Sequence, residues 1–209
     1  MTYQHEIREK KVRYRGPRPS IPRHNIRLDK MFDKYLSKRG LDPELARANG
    51  WFASFYKDVP RVIVPCTNSA GVAYFQGRDM TDTHPLRYAS PASSRDDSIV
   101  LVWPDEDNER KGLVICEGPT DALAAAGVGF VGIGLMGTQP TPEILDHVVI
   151  YARAIKPIII VPDIDALEFG STILNHLAQV ALVARIYMPE SKDLASMTVR
   201  QRETFFGSF

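Results

Sequence analysis

Leu113-Val-Ile-Cys-Glu-Gly-Pro-Thr-Asp121 opens a segment that ends at Pro157-Ile-Ile-Ile-Val-Pro-Asp-Ile-Asp165. Each end is a short, continuously apolar run that stops on an acid. Leu113 to Cys116 is long enough for a strand and too short for a helix. Gly118-Pro119 then opens a helical stretch to Ala126, with proline where a first helical turn tolerates it. Val128 to Gly134 is a second apolar run. Thr141-Pro142-Glu143 carries a capping hydroxyl, a proline at the first helical position and an acid in the first turn. Pro157 to Val161 is a third run. Ala166 to about Val180 reads as a helix with Leu167, Ile173, Leu174 and Leu177 inward. Leu182 to Tyr187 is a fourth strand. Apolar strands alternating with helices predict an α/β fold, a parallel sheet covered on both faces, with right-handed crossovers.

In open sheets of this kind ligands bind beyond the carboxyl ends of the strands. Glu117 follows the first strand and Asp163 and Asp165 follow the third. Asp193, with Glu190 and Lys192, follows the fourth. If the first, third and fourth strands are neighbours, Glu117, Asp163, Asp165 and Asp193 converge. Such acids raise one another's pKa unless a cation neutralises them. The set is all oxygen, which favours Mg²⁺ or Mn²⁺. In extended backbone, residues i and i+2 point the same way, so Asp163 and Asp165 are expected to share a site. Alone, this spacing also fits acids at a helix N-terminus, with Asp165 as a cap.

Upstream the pattern changes. Met31, Phe32, Tyr35 and Leu36 form one helical stripe, Gly40 ends it, and Asp42-Pro43-Glu44 caps a second helix. Trp51, Phe52 and Phe55 are expected in the core. Arg61 to Pro65 and Val72 to Gln76 flank the turn Asn68 to Gly71 and predict a hairpin. Ile99 to Trp103 is a further strand. Residues 1–29 hold eight basic and three acidic side chains, a surplus of five, although the 209-residue chain carries a formal charge of only +1. Arg8, Lys10, Lys11, Arg13 and Arg15, interleaved with Tyr3 and Tyr14, suit a basic arm on single-stranded nucleic acid.

Composition narrows the class. Hydrophobic residues make up 44% and charged residues 24%, enough for one sizeable core or two small lobes. No apolar stretch is long enough to span a bilayer, and the first residues lack the apolar core of a secretory signal. Cys66 and Cys116 form no CxxC, so a cysteine zinc ribbon is excluded and both thiols are expected as small core residues. A reducing cytoplasm is the compartment implied.

Ile115-Cys-Glu117-Gly118-Pro-Thr-Asp121-Ala-Leu123, then Gly134-Leu-Met-Gly137-Thr138, then Val161-Pro-Asp163-Ile-Asp165, resembles the Toprim domain of topoisomerases and primases. The resemblance implies Glu117 as general base or metal-proximal acid and Asp163 and Asp165 as Mg²⁺ ligands. Tyr35-Leu-Ser-Lys-Arg39-Gly40-Leu, Arg61-Val-Ile-Val-Pro65, Gly71-Val-Ala-Tyr-Phe75-Gln-Gly77-Arg78 and Pro85-Leu-Arg87-Tyr88 are similar to the catalytic core of bacterial DnaG-type and phage primases. It covers roughly residues 31–197. It implies a basic arm (1–30), an N-terminal α+β lobe (31–110), a Toprim domain (111–190) and a C-terminal tail (191–209). It also implies template-directed RNA primer synthesis from ribonucleoside triphosphates on single-stranded DNA. Arg61, Arg78, Arg87 and Lys192 would hold phosphates, Thr138 would donate a hydrogen bond, and Asp193 would complete the metal site. Asp121 reads as a partner for the helix dipole.

The chain departs from the pattern at Glu168, where a glycine is usual, and at Ala195, where a second late aspartate is usual. No zinc-binding module and no helicase motor is recognisable, so the partners implied are a replicative helicase or a separate zinc-bearing protein, as in a phage- or plasmid-encoded primase. Two other readings stay open: a metal-dependent Toprim nuclease, and a non-catalytic module that binds single-stranded DNA or a replication protein.

Overall fold

The computed structural model describes residues 20–68, 74–92, 97–107, 109–180, 182–187, 189 and 193–207. The expected arm contacts Arg8, Lys10, Lys11, Arg13 and Arg15, and the expected phosphate contact Lys192, lie outside them.

The described residues open on the 3-10 turn Ile26–Leu28, followed by two helices, α1 (Asp29–Ser37) and α2 (Pro43–Ala48). Phe32, Tyr35 and Leu36 bury the predicted stripe of α1. The Asp42 carboxylate accepts from the Glu44 N–H at 2.8 Å, with Pro43 in the first turn of α2. An antiparallel sheet follows, in the order β1 (Phe52–Tyr56), β2 (Val59–Cys66), β3 (Tyr74–Asp79), β4 (Tyr88–Ala89). The β2–β3 hairpin has the predicted pairing, with Val64 opposite Gln76.

β1 was not legible in the sequence. It turns into β2 through Lys57 and Asp58, both with positive φ (53° and 59°). That is a tight hairpin turn made without the Asn-Gly pair that usually announces one. The register turns Ala53 and Ser54 inward and leaves Phe55 52% exposed, which corrects its expected place in the core.

The second sheet has the order β5-β7-β6-β8-β9, from β5 (Val100–Val102), β6 (Leu113–Cys116), β7 (Val131–Gly134), β8 (Ile158–Ile160) and β9 (Arg185–Ile186). β6 pairs in parallel with both β7 and β8, and β8 with β9. The first, third and fourth apolar runs are therefore neighbours. β5 adds an antiparallel edge, so the strand that precedes residue 110 is hydrogen-bonded into this sheet. The fold is α/β, with an antiparallel sheet beside a parallel-containing one.

Alternation along β6 and β8 makes two faces. Leu113, Ile115, Ile158 and Ile160 pack with α4 (Pro142–Ala154) and α5 (Leu167–Gln179). Val114, Cys116 and Ile159 pack with α3 (Pro119–Ala126), in a cluster that also holds Phe32, Trp51 and Val62 of the N-terminal part. The chain thus has a core continuous across both sheets. Thr67 and Ile99 exchange two backbone hydrogen bonds at 2.8 Å, which joins the sheets directly. Leu167, expected inward, is 57% exposed because the buried stripe of α5 runs through Phe169, Ile173 and Leu177, and a residue two positions before Phe169 lies on the opposite face. Both cysteines are buried. Among the described residues no helix is long and apolar enough to cross a membrane.

Close packing of α3 on β7 depends on Gly132. A Cβ at that position would sit 2.2 Å from the Ala122 carbonyl oxygen. Backbone cannot yield as a flexible side chain can, so Gly132→Ala is expected to cost about 3 kcal/mol. Urea denaturation would show a lower midpoint at unchanged slope; an unchanged midpoint would mean that α3 is free to shift.

Candidate functional site

A cleft of about 520 Å³ lies between the two sheets. One wall is cationic and the other anionic.

The anionic wall comes from the ends of the second sheet. Glu117 follows β6, Asp163 follows β8, and Asp121 projects from the first turn of α3. Asp193 caps the 3-10 turn Leu194–Ser196, accepting from the Ser196 N–H at 2.7 Å. Glu117 is 9% exposed and its Oε1 accepts from the Asp163 N–H at 3.2 Å. Burial first, then the Asp163 charge, raises its pKa. Asp121 is 6% exposed and accepts from the Ala195 N–H at 2.9 Å. Burial, then the charge of Asp193, pushes its pKa up to about 7. A role confined to the helix dipole does not account for a carboxyl so placed. Burial above all holds the Cys116 thiol well above its usual range, in keeping with an inert core thiol.

The cationic wall comes from α1, β3 and the loop between β3 and β4. The Arg78 Nε donates to the Tyr35 hydroxyl at 2.8 Å, and its guanidinium lies 4.8 Å from the centre of the Tyr88 ring. Arg39 stacks 4.4 Å from the centre of the Tyr35 ring and donates to both oxygens of Asp82 at 3.0 and 3.1 Å. Arg78 reaches the same carboxylate at 3.2 Å. Arg87 lines the cleft and is exposed. Sequence reasoning assigned no role to Arg39 or Asp82. The spacing of Tyr35, in the last turn of α1, and Arg39, four residues on in the turn that follows it, was a usable signal. Nothing in the local sequence marks Asp82, which takes part through a positive φ of 57°.

Arg61 needs correction. It was expected on phosphates, yet it is fully buried. Its guanidinium donates to the carbonyls of Tyr56, Gly77, Leu86 and Arg87 at 3.1 to 3.3 Å. Nearby, Asp79 accepts from Thr81 and from the His84 N–H. Arg61 and Asp79 thus hold the loop that carries Asp82 and Arg87. Arg61→Met would strand several buried carbonyls and is expected to destabilise the fold by about 3 kcal/mol. A thermal midpoint equal to that of the unaltered protein would contradict this structural role.

Asp165 and Thr138 stand apart from the cleft. Both line a neighbouring pocket of about 470 Å³ that also holds Glu168. The segment after β8 is not extended: the Ala166 N–H bonds to the Asp163 carbonyl at 2.9 Å and closes a turn. The i, i+2 rule therefore fails, and Asp163 faces the cleft while Asp165 is exposed beside it. Asp165 is not the cap of α5 either; that position is Ala166, without a side-chain cap. The charge of Asp165 still adds to the upward shift of Glu117.

Among the described residues no three His, Cys, Asp or Glu side chains are gathered as a metal cage. The acids facing the cleft nevertheless offer only carboxylate oxygens, and after burial the charge of Asp163 raises the pKa of Glu117 and that of Asp193 raises the pKa of Asp121. Mg²⁺ characteristically takes one or two protein carboxylates and completes its shell with water and substrate phosphates. Glu117 with Asp163, and Asp121 with Asp193, fit that mode.

No protein-family model matches the chain, and no curated protein matches it. Solved structures do share its fold. The Aquifex aeolicus primase, in a structure of its zinc-binding and RNA polymerase domains, aligns with a TM-score of 0.61 at 19% identity, covering 84% of this chain and 55% of that one. The primase fragment of the bacteriophage T7 primase-helicase protein aligns with a TM-score of 0.58 at 19% identity, covering 83% and 71%. A chain from the structure of the bacteriophage T7 lagging-strand DNA polymerase interacting with primase domains of two gp4 subunits, bound to an RNA/DNA hybrid and dTTP, gives a TM-score of 0.54 at 22% identity, covering 76% and 80%. At these identities the likeness is one of fold, and the fold is that of a primase core.

Proposed function

We propose that this chain is a Toprim-type DNA primase core that joins ribonucleotides on a single-stranded DNA template. The observation that carries the reading is the opposition of the two walls. Glu117, Asp121, Asp163 and Asp193 face Arg39, Arg78 and Arg87 across one cleft. A nucleoside triphosphate needs both: cations for its phosphates and oxygen ligands for its divalent ion.

In this reading Arg78 and Arg39 hold the phosphates of the incoming nucleotide, and Arg87 holds those of nucleotide or template. The tyrosine contacts of Arg39 and Arg78 fix the angle of each fork. Asp163 and Asp193, with Glu117 and Asp121, would hold Mg²⁺ or Mn²⁺. That ion, when bound, stabilises the charge that develops on the α-phosphate and the departing pyrophosphate. Glu117 accepts the proton of the attacking 3′-hydroxyl, and its raised pKa brings it closer to the operating pH. Asp165 acts from the adjoining pocket by reinforcing the negative field at Glu117. The basic arm, with Arg8, Lys10, Lys11, Arg13 and Arg15, adds salt-dependent contacts to the template.

The test is direct. The protein is incubated with single-stranded DNA, labelled ribonucleotides and Mg²⁺ or Mn²⁺. Short labelled oligoribonucleotides are expected. Shortened template would establish the nuclease reading instead. Retained binding with neither product would establish a passive binding module.

A further inference from the structure

The two walls of the cleft are tied together by a residue that does not line it. Arg202, on α6 (Val199–Phe206), is 2% exposed. Its Nε donates to the Leu194 carbonyl at 2.9 Å, and its Nη2 to the Ala195 carbonyl at 3.3 Å. On the other side Nη1 donates to the Gly40 carbonyl at 2.8 Å, and Nη2 to the Arg39 carbonyl at 3.2 Å. The first pair belongs to the turn that Asp193 caps, and the N–H of Ala195 is the donor that holds Asp121. The second pair closes α1, where the side chain of Arg39 leaves for the cleft.

We propose that Arg202 is a positioning residue, which sets the separation of the acidic and cationic walls by joining the end of α1 to the turn behind Asp193. The kinetic part of this inference rests on the nucleotidyl-transfer reading of the cleft; the geometric part does not.

The physical case has three parts. The four carbonyls are partial negative charges at the ends of two segments more than 150 residues apart in the chain. Without the guanidinium these partly buried carbonyls would lose a charged donor, and among the described residues only that of Leu194 is seen to keep another, the Met197 N–H at 3.2 Å. A guanidinium has five N–H donors in one plane and can serve both pairs at once. An ammonium has three donors on a single atom and cannot span them. Finally, α6 cannot drift and take the guanidinium with it. It is anchored to the core by the buried Phe206, whose ring lies 4.6 Å from that of Phe130, and a capping box between Thr198 and Gln201 keeps its first turn wound.

The experiment compares Arg202→Met and Arg202→Lys with the unaltered sequence, in the full chain, well below each variant's thermal midpoint. Spin labels at Thr83→Cys, beside Asp82 on the cationic side, and at Val199→Cys, at the start of α6, report the gap without nucleotide. Both native cysteines are buried. The unaltered chain is expected to give one narrow distance distribution, and both variants a broadened or displaced one. Primer synthesis in both is expected to fall about a hundredfold in kcat/KM, the sensitivity expected of a mispositioned site. The KM for ribonucleotides should rise with it, because Arg39 and the acids no longer meet one ligand.

A folded variant with the unaltered distance distribution overturns the inference, whatever its thermal midpoint. If Arg202→Met fails to fold, Arg202→Lys decides: restoration of distance and kcat/KM by lysine would show that a buried charge suffices and no fork is needed. Glu117→Gln tests the function of the cleft separately and should leave the label distance unchanged. Loss of the primase reading and loss of this inference are thereby distinguishable.

Discussion

Glu117→Gln is expected to lower primer synthesis by roughly a thousandfold while leaving the affinity for single-stranded DNA within about twofold. The substitution is nearly isosteric. Its amide oxygen can still accept the Asp163 N–H that Glu117 accepts now at 3.2 Å, so the strand ends keep their arrangement. What is removed is a negative charge and a proton acceptor. Loss of a positioned general base typically costs 10²- to 10⁴-fold, and loss of a preorganised electrostatic contact a comparable amount. Template affinity should survive because the template phosphates are assigned to Arg87 and the arm. Asp163→Asn is expected to behave alike. Bound Mn²⁺, counted by electron paramagnetic resonance, should weaken in both variants. Unchanged primer yield from either would remove the cleft from consideration as the catalytic centre.

The stability of the metal-free protein should fall as pH rises from about 4 to about 7. Asp121 supplies the sign. Its native pKa is about 7, against roughly 3.9 in an unfolded chain. Between those values the native state binds more protons than the unfolded one, so each increment of pH favours unfolding. The full effect is on the order of 3–4 kcal/mol. Glu117, also shifted upward by burial and by Asp163, acts in the same direction. Asp79 acts in the opposite one: hydrogen bonds from Thr81 and His84 hold its pKa down against burial, so its contribution is lost as pH falls. Asp121→Asn isolates the main effect. It keeps an oxygen for the Ala195 N–H and loses the charge. Urea midpoints at pH 5 and pH 8 should differ less in this variant than in the unaltered chain, and its midpoint at pH 8 should be higher. Identical pH profiles would mean that Asp121 is solvated or paired at neutral pH.

The two effects have a common origin. Carboxylates crowded into a half-dry cleft are unfavourable for the folded chain alone and favourable once a cation arrives. Mn²⁺ at saturating concentration should accordingly raise stability most at high pH, where the acids are ionised.

Much of the architecture was legible without coordinates because its signals are local. The runs Leu113 to Cys116 and Pro157 to Val161 became β6 and β8, and the Asp42 and Thr141 caps start α2 and α4 as read. Glu117 and Asp163 could be singled out because the end of a parallel strand is a known place for ligands. β1 escaped because a Lys-Asp turn carries no strong signature.

The site itself was less legible. Arg61 and Arg78 look alike in sequence, two arginines on neighbouring strands. One is buried on four carbonyls and the other faces the cleft. Asp163 and Asp165 look like a pair, and a single turn at Ala166 separates them.

What the sequence determined by itself was the alternation of strands and helices from β6 to β9 and which acids end those strands, since periodicity and capping act over a few residues. Tertiary structure alone decided the order β5-β7-β6-β8-β9 that brings Glu117 and Asp163 together, and which cations face them. Those outcomes depend on contacts such as Arg202 with Gly40, 162 residues apart. Whether a charge satisfies buried carbonyls or waits for a ligand is set by the neighbours that the folded chain brings to it.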